Sequence, residues 1–167
     1  KLFIVLIFFL VISLVAIMAH TGHNTLLLVF ATIIGGYMAM NIGANDVANN
    51  VGPAVGSQAI TLVGAILIAA ICEAMGAIIA GGEVVETIKS GIIDSTHLAE
   101  PRVFVALMLA ALASGAVWLH LATAIGAPVS TTHSLVGGIL GAGIVAGGFS
   151  VVNWAELLRI ASSWIIS

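Results

Sequence analysis

Charge is scarce in this chain: four Lys or Arg and seven Asp or Glu make up 7% of 167 residues, against roughly 25% in ordinary soluble domains. So few charges cannot clothe a surface that faces water all round. With 61% apolar residues, the chain reads as an all-α, multi-pass integral membrane protein, and the cell (plasma or inner) membrane is its expected location. A formal net charge of -3 spread over so few groups implies neither a nucleic-acid partner nor an acidic tail. Cysteine is nearly absent. The single Cys72 excludes an intrachain disulfide and a cysteine metal cluster, and its apolar surroundings give it the reading of a small core residue. Proline occurs three times, at Pro53, Pro101 and Pro128, each beside a change in the apolar pattern. The chain opens on Lys1 and closes an apolar run at Ser167 without a polar tail, so a fragment of a longer protein is expected.

What is present is a series of long apolar runs. Residues 2–19 are uncharged and long enough, at about 1.5 Å per residue, to cross most of a hydrocarbon core roughly 30 Å thick. The run exceeds the h-region of a signal peptide, about 7 to 15 residues, and lacks its cleavage pattern, so it reads as a span. Residues 20–24 form a polar turn whose two histidines, His20 and His23, have no further ligand nearby. A second span, 25–42, carries Gly35 and Gly36, which allow another backbone to approach closely. A third covers 59–82 and is interrupted by Glu73, a carboxylate costing ~2.5 to 3.5 kcal/mol at the bilayer centre on insertion scales. Glu73 therefore faces protein or water, either on an ion pathway or capping a neighbouring helix end. Residues 83–102 gather Glu83, Glu86, Lys89, Asp94, Glu100 and Arg102 into an extramembrane connection in which Val84, Val85, Ile88, Ile92 and Ile93 recur near helical spacing. Pro101 opens the next span, 103–123, where His120 reads as a neutral core or interface residue. The last helix, from 151, pairs Glu156 with Arg159.

Two polar islands interrupt the runs. The first, Gly43-Ala44-Asn45-Asp46-Val47-Ala48-Asn49-Asn50, is bracketed by Gly43 and by Gly52-Pro53, so a broken helix with loose carbonyls is expected. Asn45 and Asn49 then share a face with Asp46. An acid, carboxamides and free carbonyls are oxygen ligands of the kind that hard cations prefer. The second island is Gly126-Ala127-Pro128-Val129-Ser130-Thr131-Thr132-His133. Pro128 turns Ala127 away from the α region and Ser130 or Thr131 suits an N-cap, so a helix begins here. Fewer than about 18 clean apolar residues follow, which suits a re-entrant half-helix. Its N-terminus offers unpaired amides, three hydroxyls and the positive end of a helix dipole, an anion receptor.

No Lys or Arg lies at membrane depth to neutralise such an anion. Two like charges about 4 Å apart repel by roughly 4 kcal/mol at an effective dielectric of about 20, so an anion shares a cavity with Asp46 only when a cation lies between them. Cation-coupled anion transport follows. The rival from another class is an intramembrane serine hydrolase, with Ser130 or Thr131 as nucleophile, His133 as base and Asp46 or Glu73 as orienter. Three consecutive hydroxyls without a nucleophile elbow argue against it.

The first island, then Gly56-Ser57, then Glu73 ahead of Gly82-Glu83-Val84-Val85-Glu86-Thr87-Ile88-Lys89-Ser90-Gly91-Ile92-Ile93-Asp94, and finally Pro128-Val129-Ser130-Thr131-Thr132-His133, together resemble the Pit-type inorganic phosphate transporters. That family includes sodium- and proton-coupled phosphate symporters and some sulfate permeases. The resemblance implies phosphate binding at Ser130, Thr131 and Thr132 with help from Asn45, and cation coordination by Asp46, Asn49 and Asn45. It also implies no enzyme activity and no cofactor. Na+ is the co-transported ion expected, H+ the alternative; a proton-coupled metal-phosphate or sulfate permease of the same family is the alternative function. The family carries two inverted repeats, each with a Gly-Ala-Asn-Asp motif, whereas this sequence has one and resembles the N-terminal half. Residues 1–167 are thus expected to form one transmembrane repeat, whose site a second repeat, another chain or an antiparallel copy in a dimer completes.

Overall fold

The computed structural model describes residues 2–19, 25–94, 96, 98 and 100–166, without the side chains of Leu2, Ala19, Lys89 and Ser90. The polar turn with His20 and His23 lies outside them. Helices dominate: α1 (Leu2–Ala19), α2 (Thr25–Ile42), α3 (Ala48–Gly56), α4 (Leu62–Glu86), α5 (Pro101–Ala124), α6 (Thr131–Gly147) and α7 (Trp154–Ile166). Three stretches among the described residues, Thr25–Gly56, Leu62–Glu86 and Pro101–Ala124, are helical, apolar and long enough to cross a membrane.

Local chemistry sets several helix ends. Thr61 caps α4 by accepting from the Gly64 amide at 3.1 Å, and Ser130 caps α6 by accepting from the His133 amide at 3.3 Å. Pro101 starts α5 after an extended Glu100, where its missing N–H is no loss. Gly148 follows α6 with φ of 78°, a conformation that a side chain would disfavour.

The expected break at the first island takes another form. Ile42, Val47 and Ala48 all keep right-handed helical dihedrals, and Gly43–Val47 is a single π-helical turn joining α2 to α3. The helix is widened there rather than opened, so the break expected beside Asp46 is replaced by continuous helical backbone. The chain leaves helical geometry only after Gly56, at a turn where Gln58 has φ of 60°. Pro53 is accommodated inside α3; it withholds the amide that the Asn49 carbonyl would otherwise receive at i+4.

Packing around α5 fixes the architecture. α2 runs parallel to it, with Met38 against Gly115 and Asn45 against Thr123, and α6 runs back antiparallel, with Gly138 against Ala111 and Gly143 near Leu107. α1 closes on α2 where a Cβ at Gly36 would come within 2.6 Å of Ile12 Cδ1, the close approach its glycine pair suggested. The connection expected outside the membrane is anchored inside the fold: Ile92 and Ile93 are fully buried with Leu107, Ala111, Val136, Ile139, Val151 and Val152. Ile93 bridges Val152, and the Asp94 amide donates to the Val151 carbonyl at 2.8 Å. The regular recurrence of Val84, Val85, Ile88, Ile92 and Ile93 does not give one buried face, since Val84 and Val85 are exposed.

α4 stands apart. Only Ala65 of its 25 residues is buried, and its main contacts are with the segments that flank it in the chain. Cys72 is exposed on it, not in the core as its apolar neighbours suggested. Apolar neighbours in sequence mark lipid-facing positions as readily as core ones. His120 is also exposed, its ring 5.9 Å from that of Tyr37. The expected Glu156–Arg159 pair is present, at 2.6 Å.

Helices in lipid associate through close packing rather than a hydrophobic drive, so the glycines of α6 discriminate sharply. A Cβ at Gly138 would lie 2.8 Å from the Ala111 carbonyl oxygen, which cannot turn aside, whereas one at Gly137 would meet nothing within 4 Å. Gly138→Ala is expected to lower stability in detergent by about 1 to 3 kcal/mol, and Gly137→Ala to leave it unchanged or higher. Thermal unfolding of the two variants tests this; equal melting would show that α5 and α6 are not packed as described.

Candidate functional site

The π-helical turn and the segment before α6 meet. Asn45, 4% exposed, donates through Nδ2 to Thr123 Oγ1 at 3.2 Å and to the Ala127 carbonyl at 3.0 Å. Its Oδ1 accepts from the Val129 amide at 3.2 Å and from Asn49 Nδ2 at 3.3 Å. A carboxamide has two donor hydrogens and two acceptor lone pairs, and all four are engaged here. Asn45 therefore joins the first island to the α5–α6 connection. The extra residue of the π turn re-aims the side chains that follow it, a recurrent device at functional sites.

One residue on, the half-buried Asp46 accepts through Oδ2 from Thr131 Oγ1 at 3.2 Å. Thr131 is the first residue of α6, so a carboxylate sits at the positive end of that helix. Ser130 spends an acceptor on the His133 amide. Among the described residues the amides of Thr131 and Thr132 have no partner, as expected for a first turn whose earliest backbone bond runs from Ser134 to Ser130. Ser130, Thr132 and Asn49 are exposed, and the amides and hydroxyls sit together at one end of α6. Thr131 and Thr132 also line a cleft of about 390 Å³, walled by Met38 and Ile42 of α2, by Glu83 and Thr87 at the end of α4, and by Ile160 of α7.

The structure brings together Asn45, Asp46, Asn49, Ser130, Thr131 and Thr132. It leaves Glu73 out: that side chain is exposed on α4, and no hydrogen bond or ion pair ties it to either island. A Ser-His-Asp relay is not formed. The Thr131 hydroxyl reaches Asp46 directly, and the His133 ring packs on Trp164 with centroids 3.8 Å apart.

Three participants escaped the sequence reading. Thr123 receives Asn45 while donating to the Leu119 carbonyl at 2.8 Å; a hydroxyl ending an apolar helix gave no signal of this. Asn41, 5% exposed and one turn before Asn45, donates to the Tyr37 carbonyl at 2.8 Å. Its spacing of four from Asn45 was the available signal. Glu83 reaches the cleft only because α4 returns past α2.

A sequence model of the phosphate transporter family matches residues 42–167, which hold both islands. The chain belongs to that family. It is 60% identical over 168 residues to a candidate phosphate permease of Helicobacter pylori strain J99, covering all of this chain and 32% of that protein. A Pyrococcus furiosus protein of the same description is 48% identical over 141 residues, covering 84% of this chain and 34% of its own length. Among solved structures, one titled the sodium-dependent phosphate transporter superposes with a TM-score of 0.78 at 45% identity, over 83% of this chain and 34% of the other. The chain thus spans about a third of the length of the relatives it matches. These relatives are named as transporters and permeases, not enzymes.

Loss of the Asn45 carboxamide leaves the Ala127 carbonyl and Val129 amide without partners in a buried setting. Asn45→Ala is expected to cost about 1 to 3 kcal/mol for each group left unsatisfied, while Asn50→Ala, exposed and without a bond, is expected to be neutral. Unfolding in detergent separates the two, and an Asn45→Ala protein as stable as wild type would remove the clamp.

Proposed function

We propose that this chain provides one repeat of a cation-coupled inorganic phosphate symporter. The observation that carries the reading is the Asp46–Thr131 contact, a carboxylate against the first residue of a helix whose leading amides are unpartnered. Phosphate is held by the Thr131 and Thr132 amides and the Ser130 and Thr132 hydroxyls. A cation shared with Asp46 offsets the repulsion between the two negative groups. Asn49 adds its carboxamide oxygen, whose amide nitrogen is already committed to Asn45, and the carbonyl that Pro53 leaves without an i+4 donor. Asn45, with every hydrogen-bonding position in use, acts in positioning both ends rather than as a ligand of either.

Likeness to a structure titled sodium-dependent supports Na+ as the coupled ion, with H+ as the alternative. A second, inverted repeat covers the exposed flank of Asn49, Ser130 and Thr132, whether it is supplied by the same polypeptide, another chain or an antiparallel copy. Glu73 belongs to that second face of the site or to an ion path along it.

Uptake of labelled phosphate into proteoliposomes under separate sodium and pH gradients tests the reading. Asp46→Asn keeps the shape and removes the charge; it is expected to abolish the ion dependence of uptake in a protein that still inserts. Unchanged ion dependence would refute the cation role. At the anion end, Thr132→Ala is expected to weaken phosphate affinity about tenfold, the worth of roughly 1.5 kcal/mol for a hydrogen bond to a charged group. Phosphate affinity untouched at Thr132 would place the anion elsewhere.

A further inference from the structure

The first turn of α6, where the proposed function puts the anion, is touched by one aromatic side chain from a distant part of the sequence. The His133 ring lies edge-on to the indole of Trp164, centroids 3.8 Å apart and planes at 62°. The His133 amide donates to Ser130 Oγ at 3.3 Å. That bond occupies the acceptor side of the hydroxyl and leaves its proton free to be given outward. The His133 amide has no intrahelical acceptor and bonds to Ser130 instead, so an anchor on the His133 side chain limits how far this turn frays. Trp164 holds it from a helix that is fixed independently: Leu157 and Ile160 of α7 pack against the buried cluster, and Ile160 also lines the cleft.

We infer that Trp164 is a positioning residue for the anion end of this site. By pinning the His133 ring, it keeps the His133 amide on Ser130 Oγ and so aims the Ser130 hydroxyl together with the Thr131 and Thr132 amides at one point. The inference rests on the anion site proposed above. α7 thereby belongs to the transport machinery, not only to the scaffold, and the cleft beside Thr131 and Thr132 is bounded by a helix whose tip senses whether the first turn of α6 is ordered.

The test measures phosphate uptake by the protein in its transporting assembly, with the rate corrected for inserted protein. Trp164→Ala is expected to raise the half-saturating phosphate concentration about two- to tenfold, the range open to one aromatic pair, and to leave the maximal rate within about twofold. Trp164→Phe restores most of the affinity, and His133→Ala combined with Trp164→Ala is no worse than the more affected single variant. With Trp118 and Trp154, and every Trp of the rest of the assembly, replaced by Phe, Trp164 is the sole indole, and phosphate is expected to change its emission saturably. Unchanged half-saturation in Trp164→Ala, a loss confined to maximal rate, or emission indifferent to saturating phosphate would overturn the inference. Should Trp164→Ala fail to insert, Trp164→Phe and the emission titration decide. A wild type without phosphate uptake removes the proposed function itself; normal uptake with Trp164→Ala unaffected removes this inference alone.

Discussion

The Asn45 side chain, buried among apolar helices, exchanges four hydrogen bonds with Thr123, Ala127, Val129 and Asn49, and the placement of both polar islands depends on it. Polar groups away from water must find partners, and in lipid the alternative to an internal partner is several kcal/mol of loss, on the order of 2 to 7 for an unpaired amide. A carboxamide meets this demand with two donor hydrogens and two acceptor lone pairs on one short side chain. The consequence is geometric. With Asn45 bonded to the α5–α6 connection, Asp46 at the next position meets Thr131 at the start of α6.

That placement sets two electrostatic features side by side. The unpartnered amides of Thr131 and Thr132 favour negative charge, and the Asp46 carboxylate already supplies some of it through the Thr131 hydroxyl. In the proposed symport the two are reconciled by the cation, whose presence makes a bound anion tolerable beside Asp46. In that proposal the coupling between the ions is charge neutralisation at one end of α6.

The rest of the chain divides between helices that hold this arrangement and one that does not. α2, α5 and α6 pack through Gly115, Gly138 and Gly143, small residues that bring backbones close. Ile92 and Ile93 carry the connecting segment into the same core, so residues rich in charge on either side are nonetheless tied to the bundle. α4 contributes Glu83 to the cleft, beside Thr87 just after it, while its length, with Glu73 at its middle, stays uncovered by the described residues.

Composition alone settled that the chain is helical and embedded in a membrane, because 7% charge leaves no other way to satisfy the backbone of such long apolar runs. The caps at Thr61, Pro101 and Ser130 were local matters of donors and acceptors a few residues apart, and Ser130 could be read directly. The family motifs likewise lay in consecutive residues, so the two islands themselves were legible. Whether Gly43 and Pro53 would break the helix was not: glycine and proline only permit a break, and the helix is carried through as a π turn. Nor could sequence tell that Asn45 would be consumed by Thr123, Ala127 and Val129, that Cys72 would face outward, or that Trp164 would meet His133. Those outcomes join residues far apart in the chain, and no periodicity records which faces of separate helices meet; only the tertiary packing around α5 decided them.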